Sequence, residues 1–507
     1  MKIVGKRYDY KGRKIYQSLY GHTYDSLAFL KEYIDKESYI IETLCKKWQI
    51  EKADLIKSLF LITLLHDVGK MTETFQKNIK EGKRTINQPH PLAGLPIVDN
   101  GFRGYFPKLI KNIEPFDVEA IAILSHHTQA YAGLYKLIDC KMLDFDLNSV
   151  NKFLNDITPI YKKLGFEKYF KIEFNEVKVN LNINKTPDEL KVAVDYFRGK
   201  INELKNKIYI KSIFAFIFSL LKISDIHASI NFNKKAEKFK NSEENIVIVD
   251  ELYESSNDLS FAGITNKMGI WRCKKKRIFQ QNLADNPKRF TMLFAPCGRG
   301  KTDASLYWAI KLLENKEANR IIFALPTQVT CNAMYNKLSG DDYFGNEKVG
   351  LHHSKSNLEF SEAKKEQDNR WHEEIEDHQS FVKNEIFRGE IFFHPITVTT
   401  VDHLLYAFIH GYSKADFSLG NIQTSVIIFD EVNYYDKTML GNLKQLFKIL
   451  REMKIPHILM SGIFPEFLKK AINESEEYHW EEDSEGLEFT PFEIIKKRST
   501  NNTRWCV

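Results

Sequence analysis

Through about residue 230 the apolar positions recur at helical spacing. "LIKSLFLITLLHD", "VEAIAILSHH" and "YIKSIFAFIFSLLKISD" carry apolar side chains three and four apart, with few alternating β-branched runs, and predict helices. From about 271 the pattern changes. Short apolar runs, "RFTMLFA", "RIIFALP", "ITVTT" and "SVIIFDE", alternate with helical stretches, as buried parallel strands do with their crossover helices. Between the two, residues 232–270 turn polar and irregular ("NFNKKAEKFKNSEEN", "YESSNDLS") and read as a linker. The charged stretch 359–390 reads as exposed helix or loop inserted between strands. The expected organisation is multidomain: an all-α domain over 1–231, a linker, an α/β lobe with a parallel sheet over 271–480, and a tail over 481–507. No internal repeat is visible.

A chain of 507 residues exceeds a single core, which agrees with this division. Hydrophobic content of 43% and charged content of 28% are ordinary for a globular protein. The net charge of +6 fits a nucleic-acid partner without requiring one. The cysteines Cys45, Cys140, Cys273, Cys297, Cys331 and Cys506 are scattered. That argues against a zinc knuckle or a disulfide framework and fits a reducing cytoplasm. The N-terminus lacks the apolar core of a signal peptide. The longest apolar run, "FAFIFSLL" at 214–221, is too short to span a bilayer, so a cytoplasmic protein without a membrane partner is expected.

Metal-capable residues stand at the ends or turns of the helical segments: His22, His66, Asp67, His90, His126, His127 and Asp225. Any one of these histidines alone is better explained as hydrogen-bonded structure. As a set they offer imidazole and carboxylate donors suited to Mn, Fe, Co or Ni, and the two oxygens of Asp67 could bridge two ions. The order His, His-Asp, His, His-His, Asp, with "HDVGK" at 66–70, resembles the HD metal-dependent phosphohydrolase superfamily. That resemblance implies a site of six or seven ligands for two divalent ions. Lys70, one helical turn from His66, is placed to offer its charge to a scissile phosphate; a solvated surface lysine has the same spacing.

"LFAPCGRGKTDAS" at 293–305 joins a strand-like run to a helix-like one. Gly298 and Gly300 let backbone amides approach phosphate, Lys301 neutralises the β and γ groups of ATP, and Thr302 offers a hydroxyl to Mg²⁺. Asp430 and Glu431 end the strand-like "SVIIFDE" and fit Mg²⁺ coordination and water polarisation respectively, with Glu431 in a catalytic role. The second domain is therefore expected to be a RecA-like P-loop lobe. Gln280 stands where superfamily 2 helicases read adenine. "ALPTQVTCNAMY", with Pro326 and Thr327, and "TTVDHLL", with Thr400 and Asp402, resemble the motifs with which such helicases hold a strand backbone.

An HD domain followed by these helicase motifs, in this order, resembles the CRISPR-associated helicase–nuclease family of type I systems, over roughly residues 15–470. The resemblance implies a metal-dependent single-strand DNA nuclease coupled to an ATP-driven motor. It also implies recruitment by Cascade, the crRNA-guided surveillance complex, after Cascade opens target DNA. Two motifs depart from the family: Ser461-Gly462-Ile463 stands where Ser-Ala-Thr is usual, and Asn433 replaces a His of the acidic motif. Both bear on coupling of hydrolysis to strand movement more than on nucleotide binding. Past residue 480 no second RecA-like pattern is visible, so a separate polypeptide carrying it, or a shortened chain, is expected, with weak ATPase activity of this chain alone. Two other readings compete: an HD phosphohydrolase of small nucleotides with a regulatory P-loop lobe, and a degenerate docking platform.

Overall fold

The computed structural model describes residues 2–10, 13–83, 89–111, 113–127, 143–183, 185–204, 207–239, 246–255, 275–353, 388–409, 415–435, 437–472 and 477–488. The inserted segment expected over 359–390 lies almost entirely outside them, as do most of the expected tail and much of the expected linker.

The first domain is helical, as expected of the all-α reading, and carries one small sheet besides. Strands β1 (Val4–Tyr10) and β2 (Arg13–Ser18) form an antiparallel hairpin, and β3 (Ile246–Val249) adds parallel to β2. Charged residues interrupt the apolar positions of β1 and β2, and β3 lies more than 200 residues from its partner within the stretch read as linker. Local patterning therefore hides the sheet. The segment after β3 is built into the domain: Asp25, fully buried, accepts from the backbone N–H groups of Leu252 and Tyr253.

The longest helix, Ile208–Ala236, is apolar around its circumference, and such a helix must be covered on every side. "FAFIFSLL" is its centre rather than an isolated run. By length and composition alone this helix could cross a membrane, but 78% of its apolar window is buried inside the protein. Helices Leu19–Lys36, Lys52–Leu65 and Asp117–Ser125 of the first domain pack on it, and so does helix Ala415–Ile422 of the second. Gly420 permits that last contact: a Cβ there would stand 2.3 Å from Ser219 Cβ and 2.5 Å from the Ala215 carbonyl oxygen.

The second domain is a seven-stranded parallel sheet. In spatial order it runs β10 (His479–Glu482), β4 (Phe290–Phe294), β9 (His457–Ser461), β8 (Ser425–Phe429), β5 (Arg320–Leu325), β7 (Ile396–Thr400) and β6 (Val349–His352). Strands β5, β7, β8 and β9 are buried along their whole length, which accounts for the apolar runs of β5, β8 and β9. The lobe continues past the expected boundary at 480. β10 forms its edge, and the Asp483 N–H donates to Phe294 O at 2.9 Å.

A polar joint closes the seam between domains. Glu37 Oε2 accepts from Asn319 Nδ2 at 3.1 Å, Arg320 Nη1 donates to Asn319 Oδ1 at 2.9 Å, and Gln423 Nε2 donates to Ser212 O at 2.8 Å. Burial pushes the Glu37 carboxyl up to about 7, against the hydrogen bond from Asn319. A carboxyl whose folded pKa exceeds its unfolded value binds more protons folded than unfolded, so its contribution to stability falls as pH rises through the interval from 4.5 to 7. Glu37→Gln keeps the acceptor without the charge. Its melting temperature should match wild type near pH 5 and exceed it by a few degrees near pH 8; equal melting at both pH values would contradict this.

Candidate metal and nucleotide sites

Helix Lys52–Leu65 ends at His66, and the 3₁₀ turn Val68–Met71 begins immediately after Asp67. The apolar face that makes this helix a core element thus delivers its two polar terminal residues into the interior, where His66 is 1% and Asp67 2% exposed. Helix Leu19–Lys36 brings His22, helix His90–Phe102 begins on His90, His126 and His127 follow helix Asp117–Ser125, and the long helix brings Asp225.

All seven expected ligands meet in two groups that share Asp67. His90, His126 and His127 form one group with it, His22, His66 and Asp225 the other, and within each group the donor atoms lie within 4.8 Å of one another. The two carboxylate oxygens of Asp67 divide between them. Oδ1 lies 3.0 Å from His90 Nε2 and 3.6 Å from His126 Nε2, whereas Oδ2 lies 3.4 Å from His22 Nε2 and 3.5 Å from His66 Nε2. Asp225 Oδ1 completes the second group, 3.1 Å from His22 Nε2.

The donor atoms suit cations. His66 Nδ1 lies 2.8 Å from Thr63 O and His126 Nδ1 2.6 Å from Ile123 O. A carbonyl can only accept, so each Nδ1 carries the proton and each Nε2 presents a lone pair to the centre. Burial lowers the imidazoles of His22, His90 and His126 to about 3, leaving them neutral donors. His66 Nε2 and Asp67 Oδ1 are buried without a hydrogen bond, and the Nε2 atoms of His90 and His126 face each other at 3.2 Å. Orphaned acceptors turned toward one another are costly unless a cation lies among them. Burial pushes Asp67 upward, but the Lys70 ammonium and the surrounding imidazoles outweigh it and hold the carboxyl well below its ordinary range. Lys70 is no surface lysine. It is 4% exposed with Nζ 2.5 Å from Asp67 Oδ2, and burial lowers it to about 8.

Sequence reading missed the residues that assemble this centre. Gly69 touches the start of helix His90–Phe102 so closely that a Cβ would stand 1.9 Å from His90 O, and a Cβ on Gly94 would stand 2.9 Å from Gly69 N. The glycine of "HDVGK" therefore serves to let His90 approach Asp67. Lys6 and Lys222 also reach Asp225, at 3.2 Å each. Only the glycine gave a local signal.

In the second domain β4 leads through Ala295–Gly300 into helix Lys301–Glu314. Gly298 (φ 74°) and Gly300 (φ 87°) adopt the left-handed backbone such a loop needs. Lys301 Nζ lies 3.7 Å from Glu431 Oε1, and Thr302 opens the same helix. Burial and the adjacent Glu431 hold the Asp430 carboxyl up to about 6, a position a Mg²⁺ ion would relieve. Gln280 lies beside the loop, and its amide fastens it: Oε1 accepts from Arg277 N–H at 3.0 Å and Nε2 donates to Gly300 O at 3.1 Å. Arg299, within the loop, is held by Asp483 at 2.5 and 3.0 Å.

The two motifs that depart from the family pattern meet, through Asn433 and the unchanged Ser461. Ser461 Oγ donates to Asn433 Oδ1 at 2.5 Å, joining the acidic motif to the end of β9, while Ile463 is 62% exposed. Pro326 and Thr327 follow the C-terminal end of β5, Thr400 ends β7 and Asp402 follows it, on the same edge of the sheet as the phosphate loop. Thr327 caps helix Gln328–Ser339 by accepting from Thr330 N–H at 3.2 Å. Thr400 is buried and its Oγ1 lies 2.8 Å from His403 Nδ1, so its hydroxyl already has a protein partner.

Comparison with known proteins matches both domains to known families. Residues 5–133 match the Cas3 HD domain family and residues 275–471 the DEAD/DEAH box helicases. A putative CRISPR-associated nuclease/helicase Cas3 of Methanocaldococcus jannaschii is 43% identical over 459 residues, which is 87% of this chain and 58% of that protein. The CRISPR-associated endonuclease/helicase Cas3 of Escherichia coli is 32% identical over 185 residues, 34% of this chain and 20% of that one. The crystal structure of T. fusca Cas3 with AMPPNP shares the fold with a TM-score of 0.55 at 16% identity, over 93% of this chain and 51% of that chain. The chain thus spans a little over half the length of the M. jannaschii and T. fusca proteins.

Gly69→Ala tests the assembly of the centre. Forcing helix His90–Phe102 away from the turn should weaken Mn²⁺ binding by about ten- to a hundredfold, as supporting-residue changes commonly do. Calorimetric titration with circular dichroism as the folding control would show it; undiminished affinity would mean that the turn relaxes without moving His90.

Proposed function

Over both of its domains the chain is a homologue of the Cas3 nuclease/helicases, and on that premise we propose that it cuts single-stranded DNA at the histidine–aspartate centre and binds ATP at the phosphate loop. The carrying observation is Asp67, whose two oxygens each face a separate histidine group. Retaining seven donors argues against a docking platform. The donors, imidazole and carboxylate, favour Mn²⁺, Fe²⁺, Co²⁺ or Ni²⁺ over Mg²⁺. Two such ions would supply Lewis acidity to a phosphodiester and a bound water of lowered pKa.

The residues of the chain divide the remaining work. The Thr63 and Ile123 carbonyls orient the His66 and His126 rings. Lys70 holds Asp67 ionised and Lys222 fixes Asp225 through Oδ2. At the second site Lys301 and Thr302 would hold the phosphates and Mg²⁺ of ATP, with Asp430 as the metal carboxylate, Glu431 polarising water and Gln280 beside the base. Pro326, Thr327 and Asp402 offer strand-backbone contacts at the same sheet edge. A solved relative with a TM-score of 0.50 and 15% identity is described as a CRISPR RNA-guided surveillance complex, pre-nicking. That description and the name of the M. jannaschii relative support recruitment by a crRNA-guided complex.

The two sites should separate by mutation. Asp67→Ala should reduce Mn²⁺-dependent cleavage of circular single-stranded DNA by at least about a hundredfold, since no water replaces a bridging carboxylate, and leave ATP binding intact. Lys301→Ala should abolish binding of a fluorescent ATP analogue and leave ATP-free cleavage unchanged. Cleavage that survives Asp67→Ala or excess chelator would sink the nuclease assignment. Inertness toward the DNA circle with hydrolysis of free nucleotides would favour a small-nucleotide phosphohydrolase.

A further inference from the structure

β1 does not pair regularly with β2. Its register slips between Val4↔Ser18 and Lys6↔Gln17, which places a bulge at Gly5. A bulge leaves one residue unpaired and re-aims the side chains beside it, and bulges concentrate next to active sites. A Cβ on Gly5 would stand 3.0 Å from Leu19 Cα and 3.4 Å from His22 Cβ, so the strand lies tight against the start of the helix that carries His22. Gln76 pins it from another direction. Its Oε1 accepts from Val4 N–H at 3.0 Å, and its Nε2 donates to Val4 O at 2.9 Å and to Lys70 O at 2.8 Å.

The bulge delivers Lys6 to the metal centre. Lys6 Nζ lies 3.2 Å from Asp225 Oδ1, the oxygen that also faces His22 Nε2 at 3.1 Å. Lys222 bonds the other oxygen, Oδ2, at 3.2 Å. The side chain of Lys6 is 22% exposed, against 9% for Lys222 and 5% for Lys70. Lys222 is thus placed to orient the carboxylate from behind, whereas Lys6 occupies its ligand-side oxygen from the solvent rim.

An ammonium and a divalent ion repel strongly when both lie on one carboxylate oxygen, and a lysine on a four-carbon stem can swing outward at little cost. We infer that Lys6 is a displaceable cation of the metal centre: it neutralises Asp225 in the metal-free protein, yields Oδ1 to a divalent ion, and then binds a substrate phosphate from the rim. The second role rests on the nuclease reading above; the first does not.

The test compares the full chain with Lys6→Met and Lys6→Arg. Calorimetric Mn²⁺ titration should show Lys6→Met binding the ion about tenfold more tightly, because no ammonium competes for Asp225, with Lys6→Arg near wild type. At saturating Mn²⁺, Lys6→Met should raise KM for single-stranded DNA severalfold with kcat changed far less, and Lys6→Arg should restore KM. Unchanged or weaker Mn²⁺ binding by Lys6→Met overturns the competition with the ion. A KM that does not move, in a wild type that cleaves DNA, overturns the phosphate role. A wild type that cleaves no DNA refutes the nuclease reading, while the Mn²⁺ titration still decides whether Lys6 competes.

Discussion

A buried carboxylate between two sets of histidines constrains the whole first domain. A charge in the interior costs several kcal/mol unless it is paired and hydrogen-bonded, and Asp67 is 2% exposed. Lys70 and the converging imidazoles are its compensation, so each helix that brings one of them must end or turn at a fixed place. Glycines at 69 and 94 follow from the same demand, since backbone must touch backbone for His90 to come within 3.0 Å of Oδ1.

The helix Ile208–Ala236 extends that constraint to the second domain. It carries Asp225 into the histidine–aspartate cluster and packs against helix Ala415–Ile422 at Gly420. One element therefore touches both the histidine–aspartate cluster and the lobe that carries the glycine loop. Its uniformly apolar surface, suited by composition to a bilayer, is satisfied by protein on both sides. The buried joint of Glu37, Asn319 and Arg320 adds polar specificity to the same seam.

Within the lobe, parallel strands bring the glycine loop, the acidic pair and the segments holding Thr327 and Thr400 to one sheet edge. Here the departures from the family pattern acquire a physical meaning. Asn433 is not simply the loss of a histidine; its amide oxygen takes the Ser461 hydroxyl and keeps two motifs connected. Edge strand β10 and Asp483 hold the loop residue Arg299, so a segment far along the chain helps shape the phosphate cradle.

The two-domain order, the parallel character of the lobe and the seven metal-capable residues that the structure brings together were legible in the chain, because helical periodicity, apolar strand runs and short motifs are local signals. The sequence by itself did not reveal the hairpin with β3, which pairs residues more than 200 positions apart, or the division of Asp67 between two groups, which needs the directions of its oxygens. Lys70 illustrates the limit most plainly. Spacing allowed a solvated lysine, and only the surrounding helices made it a buried partner of Asp67. Lys6 and Gly5 lie in an unremarkable polar stretch, and their role exists only because the strand slips register beside His22. Local sequence sets which groups are present; tertiary packing decides which of them lose water and must therefore find one another.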